Sequence, residues 1–184
     1  MVLTFLNLVV VSGLLVGLIA GSFQQFRESY SGEVIITSED GMDYIENSPN
    51  LIAFLNSNPR VQAISPRYQV GATILGTLND LPKKNERQNS ISARLVGIDI
   101  AKEETLTRFS RFIEYGNNLQ QGEEGYILIG ANMLKKYSSF ADANIPGLTL
   151  LENVDIGTRV RVSIARKDGE AIRKEFIVKG IVKS

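Results

Sequence analysis

The side chains most able to do chemistry here are two adjacent carboxylate pairs, Glu103-Glu104 and Glu123-Glu124, and a cationic trio, Lys83, Lys84 and Arg87. Paired carboxylates can hold a hard cation or share a proton, but each pair lacks a third ligand nearby in the sequence, so both read as solvated faces. A carboxylate-based hydrolase would need such a pair in a cleft; on this reading, alanine at these four positions leaves function intact. Lys83, Lys84 and Arg87 stand in a polar stretch, either a contact site for a partner or a solvated loop. A glycine at the end of an apolar run, Gly130, suggests a strand-to-helix junction of the kind that can cradle an anion. No G-x-x-x-x-G-K-[ST] occurs, which excludes a P-loop ATPase.

The chain has no His and no Cys. A Ser-His-Asp triad, thiol chemistry and Cys- or His-based metal sites are therefore excluded. Lys+Arg and Asp+Glu number 20 each, giving a net charge of zero. Without a basic excess, nothing favours a nucleic-acid partner. The expectation is a non-enzyme: no catalytic, cofactor-binding or metal-binding residue is assigned, no cofactor is required, and residues that bind a substrate or partner are unknown at this level.

Residues 2–26 carry no charged side chain, and Arg27 is the first. About 20 apolar residues cross the hydrocarbon core as a helix, so residues 1–26 are expected to form a transmembrane helix. The rival is a cleavable signal peptide ending near Ala20 and Ser22, although no Lys or Arg precedes the apolar run. A third reading is a soluble helix. Gly13, Gly17 and Gly21 repeat every four residues, either a close-packing strip for other membrane helices or a chance spacing. Charge alone leaves the orientation open.

Residues 27–184 are expected to form one α+β domain with helices packed on a mixed or mostly antiparallel sheet. The tether ends near Tyr30-Ser31-Gly32, and Val34-Ile35-Ile36-Thr37 reads as a short buried strand. Glu39-Asp40-Gly41 is turn-rich. Ser48-Pro49 opens a helix with Ser as N-cap, Leu51, Ile52, Phe54 and Leu55 form its apolar face, and Asn58-Pro59 stops it. Val61 begins the next strand. Tyr68, Val70, Ala72 and Ile74 alternate with Arg67, Gln69, Gly71 and Thr73, the period of a half-buried strand, and 91–98 is its partner. The stretch between them is an exposed hairpin tip.

Asp99 precedes a second amphipathic helix with Leu106, Phe109, Phe112 and Ile113 on one face, stopped by Gly116. Tyr126-Ile127-Leu128-Ile129 is a buried strand, and Gly130 leads into a helix carrying Met133, Leu134 and Tyr137. Val160, Val162 and Ile164 alternate, Lys167-Asp168-Gly169 is a hairpin turn, and Phe176, Val178, Ile181 and Val182 return the chain.

Several pieces then resemble one family. After an N-terminal apolar helix they are the strand near Gly32-Glu33-Val34-Ile35-Ile36-Thr37-Ser38, then Val61-Gln62-Ala63-Ile64-Ser65-Pro66-Arg67, Leu95-Val96-Gly97-Ile98-Asp99, Gly116 with Leu119, and the run from Ile127 to Leu134. Two more follow, Ile156-Gly157-Thr158-Arg159-Val160-Arg161-Val162 and the run from Phe176 to Val182. In that order they are similar to the extracytoplasmic core domain of FtsX-like ABC-transporter permeases, the MacB-like periplasmic core domain of lipoprotein-releasing and macrolide-export types. The fragments are scaffold features, so no catalytic residue is carried over.

Family permeases have four transmembrane helices with this domain between the first two, so the resemblance implies the N-terminal portion of a permease. It implies a single-pass chain in the inner or plasma membrane, with its bulk extracytoplasmic. The implied partners are a cytoplasmic ABC ATPase subunit, a second permease copy or paralogue, membrane lipid and a periplasmic adaptor. The implied function couples ATP-driven helix motion to export or release of a lipoprotein, drug or peptide. The alternative is a membrane-anchored extracytoplasmic binding module with no ATPase partner.

Overall fold

The alternation after Arg67 builds the framework of the sheet. In the computed structural model, which describes residues 2–28, 34–39, 42, 44–76, 88–143, 145–166 and 169–183, strand β1 (Arg67–Leu75) pairs antiparallel with β2 (Ser90–Ile98) along its whole length. Only the end of β1, Thr73 to Leu75, also pairs with β5 (Arg159–Ala165). The chain divides into two units, 1–64 with 105–107, and 65–104 with 108–184.

The second unit is organised by β6 (Ala171–Val182), a strand of 12 residues. Its first part pairs antiparallel with β5. From Ile177 onward it pairs in parallel with β4 (Tyr126–Gly130), while Gly180 to Val182 also pair antiparallel with β3 (Ile113–Gly116). A strand has two hydrogen-bonding edges. Ile177 faces both β5 and β4, so β4 occupies one edge and β5 and β3 lie end to end along the other. The sheet is therefore mixed and mostly antiparallel, and the α+β class expected from the sequence is observed.

The buried core combines Ala72, Ile74, Val160, Val162, Val178 and Ile181 with Ile127 and Ile129 from β4. Its cover is Leu134, Leu151 and Val154 from the connection after β4, not a helical layer. Leu134 and Leu151 form a parallel bridge, and Leu151 N donates to Met133 O at 2.8 Å. This closes the connection into a loop whose ends meet under the sheet. Packing of helices over the sheet was the expectation; in this unit the apolar core is strand against loop.

Helix α3 (Ile100–Thr107) is capped as expected by Asp99, whose side chain accepts from Ala101 N at 3.1 Å and Lys102 N at 3.2 Å. It ends nine residues before Gly116. Arg108 takes a left-handed conformation (φ 52°), and a 3-10 turn (Phe109–Phe112) leads directly into β3. The Glu104 carboxylate accepts from Ser110 N at 2.8 Å and Ser110 Oγ at 2.6 Å, which holds that break. The helical spacing of Leu106, Phe109 and Phe112 loses to a strand edge on β6. A second correction concerns Gly130: its backbone is extended and only a three-residue 3-10 turn (Ala131–Met133) follows, so no helix N-terminus faces an anion there.

In the first unit, α1 (Val2–Glu28) is a helix of 27 residues and α2 (Ser48–Ser57) one of 10. The side chains described within α1 are 6–7 and 9–21; among the described residues no helix is long and apolar enough to cross a membrane. The N-cap of α2 is Asn47 at φ 57°, one residue before the expected Ser48, and Asn58 is the C-cap. No residue of α2 is buried. Residues 34–39 form no strand, and Val34 is 78% exposed, so the buried strand expected at 34–37 is not observed. Residues 61–66 are likewise non-strand, because the ladder to β2 starts at Arg67 opposite Ile98. The tether end at Tyr30-Ser31-Gly32, the hairpin tip with Lys83, Lys84 and Arg87, Asp40-Gly41, and Lys167-Asp168 lie outside the described residues.

Candidate functional site

The structure separates the two carboxylate pairs and gives each glutamate a different environment. Glu103, expected on a solvated face, is 2% exposed. One carboxylate oxygen accepts from Ser65 Oγ at 2.6 Å and Arg67 Nε at 3.0 Å, and the other accepts from Arg67 Nη2 at 2.5 Å. The side-on fork of Arg67 matches the carboxylate with two bonds, Nε to one oxygen and Nη2 to the other, the charge-assisted bidentate geometry that neutralises a buried acid. Its neighbour Glu104 points the other way to hold Ser110. A helix turns 100° per residue, so adjacent glutamates cannot share one ligand on α3. The expectation that this pair is merely solvated is therefore wrong for Glu103.

Glu123 is also engaged. It accepts from Gln120 N at 2.7 Å and from Lys179 Nζ, whose ammonium lies 5.3 Å from the Tyr126 ring centre. The bond from Lys179 is the main reason its pKa falls below the usual glutamate value, followed by the Gln120 amide. Glu124 stays exposed, as expected. Among the described residues no group of three or more His, Cys, Asp or Glu could hold a metal ion.

An open depression of about 610 Å³ is lined by Lys135, Lys136, Glu152, Asn153, Val154 and Asp155. Lys135 Nζ meets Glu152 at 2.7 Å, and Lys136 pairs with Asp155. The Asp155 carboxylate also accepts from Tyr137 Oη and, at 2.8 Å, from Ile156 N. The Asp155 backbone N donates to Thr158 Oγ1 at 3.0 Å, and Gly157 supplies the positive φ of 84° that the turn into β5 requires. Tyr137 stacks at a tilt on Tyr115, with centroids 4.9 Å apart. Thus Asp155 ties the closed loop after β4 to the start of β5.

Lys136 first, then Tyr137 and the Ile156 amide, pull the Asp155 pKa down to about 2. The same bond to Asp155 pushes Tyr137 above its ordinary value, and Asp155 and Glu152 raise Lys136 and Lys135 respectively. Asp155 is thus held as the anion and Tyr137 as the neutral phenol around neutral pH. This cluster offers no proton exchange in that range; what it offers is paired charge on a concave surface. Sequence reasoning missed Asp155, although Asp155-Ile156-Gly157-Thr158 is a legible turn signal, with Asp first and Gly third. The ligands of Glu103 were hidden in Ser65-Pro66-Arg67, which was read only as a strand.

No protein-family model matches the chain, and no curated protein sequence matches it.

Proposed function

We propose that the chain is the membrane-anchored N-terminal portion of an ABC-transporter permease of the FtsX-like kind. Its domain would sit outside the cytoplasm and relay ATP-driven helix motion to the release or export of a lipoprotein, drug or peptide. The observation that carries the reading is where the family-like fragments fall. Val96-Gly97-Ile98-Asp99 ends β2 and caps α3. Ile127 to Gly130 lies within β4, Ile156-Gly157-Thr158 is the turn into β5, and the run from Phe176 to Val182 is the second half of β6, which pairs with β4 from Ile177 and with β3 from Gly180. These fragments build strands of the sheet, a turn and a helix cap, whereas residues 61–66 precede β1 and form no strand.

The anchor rests on the uncharged run 2–26. About 20 apolar residues are enough to cross the hydrocarbon core, and this uncharged run exceeds that length. Residues 23–30 contain no Pro or Gly, and α1 continues to Glu28, which suits a stiff lever between membrane and domain. A Gly-Ser insertion after Gln25 should then uncouple ATP turnover from transport; undiminished transport removes the lever from the mechanism.

The deciding experiment is to express the chain with its genomic neighbours, isolate it in detergent and look for a P-loop ATPase. Copurification of such a subunit, with ATPase activity that responds to the chain, supports the permease reading. A chain that enters the membrane and brings down no ATPase replaces it with an anchored binding module.

A further inference from the structure

We propose that the outward face of the β2–β1–β5–β6 sheet is a docking surface for an acidic peptide segment of a partner protein. Alternate residues of a strand point to opposite faces. Ala72, Ile74, Val160 and Val162 are buried on one face, which places Arg94, Thr73, Arg159, Arg161, Ser163 and Arg173 on the other. The pairing register sets Ser92, Thr73, Ser163 and Arg173 in one row across all four strands. The row beside it brings Arg161 opposite Glu175, and Arg94 flanks the first row across from Gly71. A Cβ at Gly71 would meet nothing within 4 Å, so the middle of the face is a low track of small residues between raised arginines.

Three features choose the occupant. First, the cations on this face that carry no described acidic partner, Arg94, Arg159 and Arg173, are all arginines; Arg67, Arg161 and Lys179 are already paired with Glu103, Glu175 and Glu123. A planar guanidinium fork suits carboxylate pairing, whereas lysine acts as a point charge. Second, the face already seats one carboxylate: Arg161 Nη2 lies 2.9 Å from Glu175 Oε1. Arg159 and Arg173 are exposed and have no acidic partner among the described residues, and Arg94 contacts only Gln69, at 3.4 Å. Third, among the described residues of these four strands Val96 is the one exposed large apolar side chain on this face, and Tyr126 of adjoining β4 is already covered by the Lys179 ammonium. Membrane-surface binding usually adds buried apolar side chains to basic charge. The fifth arginine on this face, Arg67, is already committed to Glu103.

The whole chain has zero net charge, so any attraction for an acidic peptide must be local. The test titrates the full chain, in nonionic detergent at low salt, into a fluorescein-labelled decaglutamate peptide and follows anisotropy. Saturable binding that weakens with salt is expected, and R159Q/R173Q should weaken it at least about tenfold. Lys174, adjacent to Arg173 but on the opposite face beside Phe176, is the control: K174Q should bind like the parent. Circular dichroism of each variant establishes folding, and single R173Q replaces the double variant if that one fails to fold. No saturable binding, or equal losses from R173Q and K174Q, overturns the proposal. So does arginine-dependent binding to phosphatidylglycerol vesicles over phosphatidylcholine vesicles without peptide binding, which assigns the face to a lipid surface.

Discussion

Replacing Glu103 by alanine should be among the most damaging single changes in the sheet-bearing unit. The carboxylate is 2% exposed and Arg67 is 23% exposed, and three hydrogen bonds join Glu103 to Arg67 and Ser65. Removing one member of a buried ion pair strands the other, a loss of roughly 3–5 kcal/mol. Arg67 retains partial access to water, which draws the estimate to the lower end, about 3 kcal/mol. For a chain of this size 1 kcal/mol corresponds to roughly 2–4 °C in Tm, so E103A should lower Tm by about 6–12 °C. E103Q keeps the volume and some hydrogen bonds and should fall between the two. R67M/E103L removes both charges and should recover most of the loss, since an apolar replacement of a buried pair is often neutral. Urea unfolding of the parent and these variants, followed by circular dichroism, gives the comparison. If E103A costs less than about 1 kcal/mol, or the double variant is worse than E103A, the carboxylate is not the buried anchor described above.

Further outcomes follow from other positions. Gly116 has φ +80°, and a Cβ there would lie 2.4 Å from Lys179 O, so G116A should destabilise by more than about 2 kcal/mol, measured by the same unfolding curves. At Gly71 the space is open and the backbone is strand, so G71A should be neutral or stabilising by up to about 1 kcal/mol. Asp155 and Glu123 both have folded pKa values below their ordinary ones. Their contributions are therefore complete above pH about 4.5 and are lost as pH falls through the folded values, for Asp155 toward about 2. D155N should reduce the loss of stability between pH 4 and 2 relative to the parent. Tyr137, Lys135 and Lys136 are shifted upward, so what they contribute is complete below pH about 10 and declines above it. With no His, stability should vary little between pH 6 and 8; a sharp step there would contradict this assignment.

Period-two runs were readable because each strand's own residues report its burial. β1, β2 and β5 stand where the alternation placed them, and β6 carries the apolar positions expected of it. The helix after Asp99 was readable at its start, where a local side-chain cap decides, and unreadable at its end. There the outcome depends on pairing Ile113 with Val182, far along the chain. Glu103 shows the same limit in chemical form. Nothing in Lys102-Glu103-Glu104-Thr105 separates a buried acid from a solvated one; the difference is Arg67, 36 residues earlier. Asp155 was readable as a turn residue, while its ties to Lys136 and Tyr137 follow from the meeting of Leu134 and Leu151, which no local pattern encodes.

The central position of β6 also governs how the protein can be made. β3, β4 and β5 all precede it in the chain, and each pairs with it. On the ribosome, the β1–β2 hairpin can close from neighbouring residues, but β3 and β4 leave the exit tunnel with no ladder partner among these strands until β6 emerges. Their edges stay open to wrong partners for the time needed to synthesise the intervening segment, at about 5–20 residues per second. Non-local assembly of this kind is slow to nucleate and exposed to aggregation. Nascent chains arrested before Ala171 should accordingly be held by chaperones and cut readily by protease, with protection arriving in one step once β6 is free.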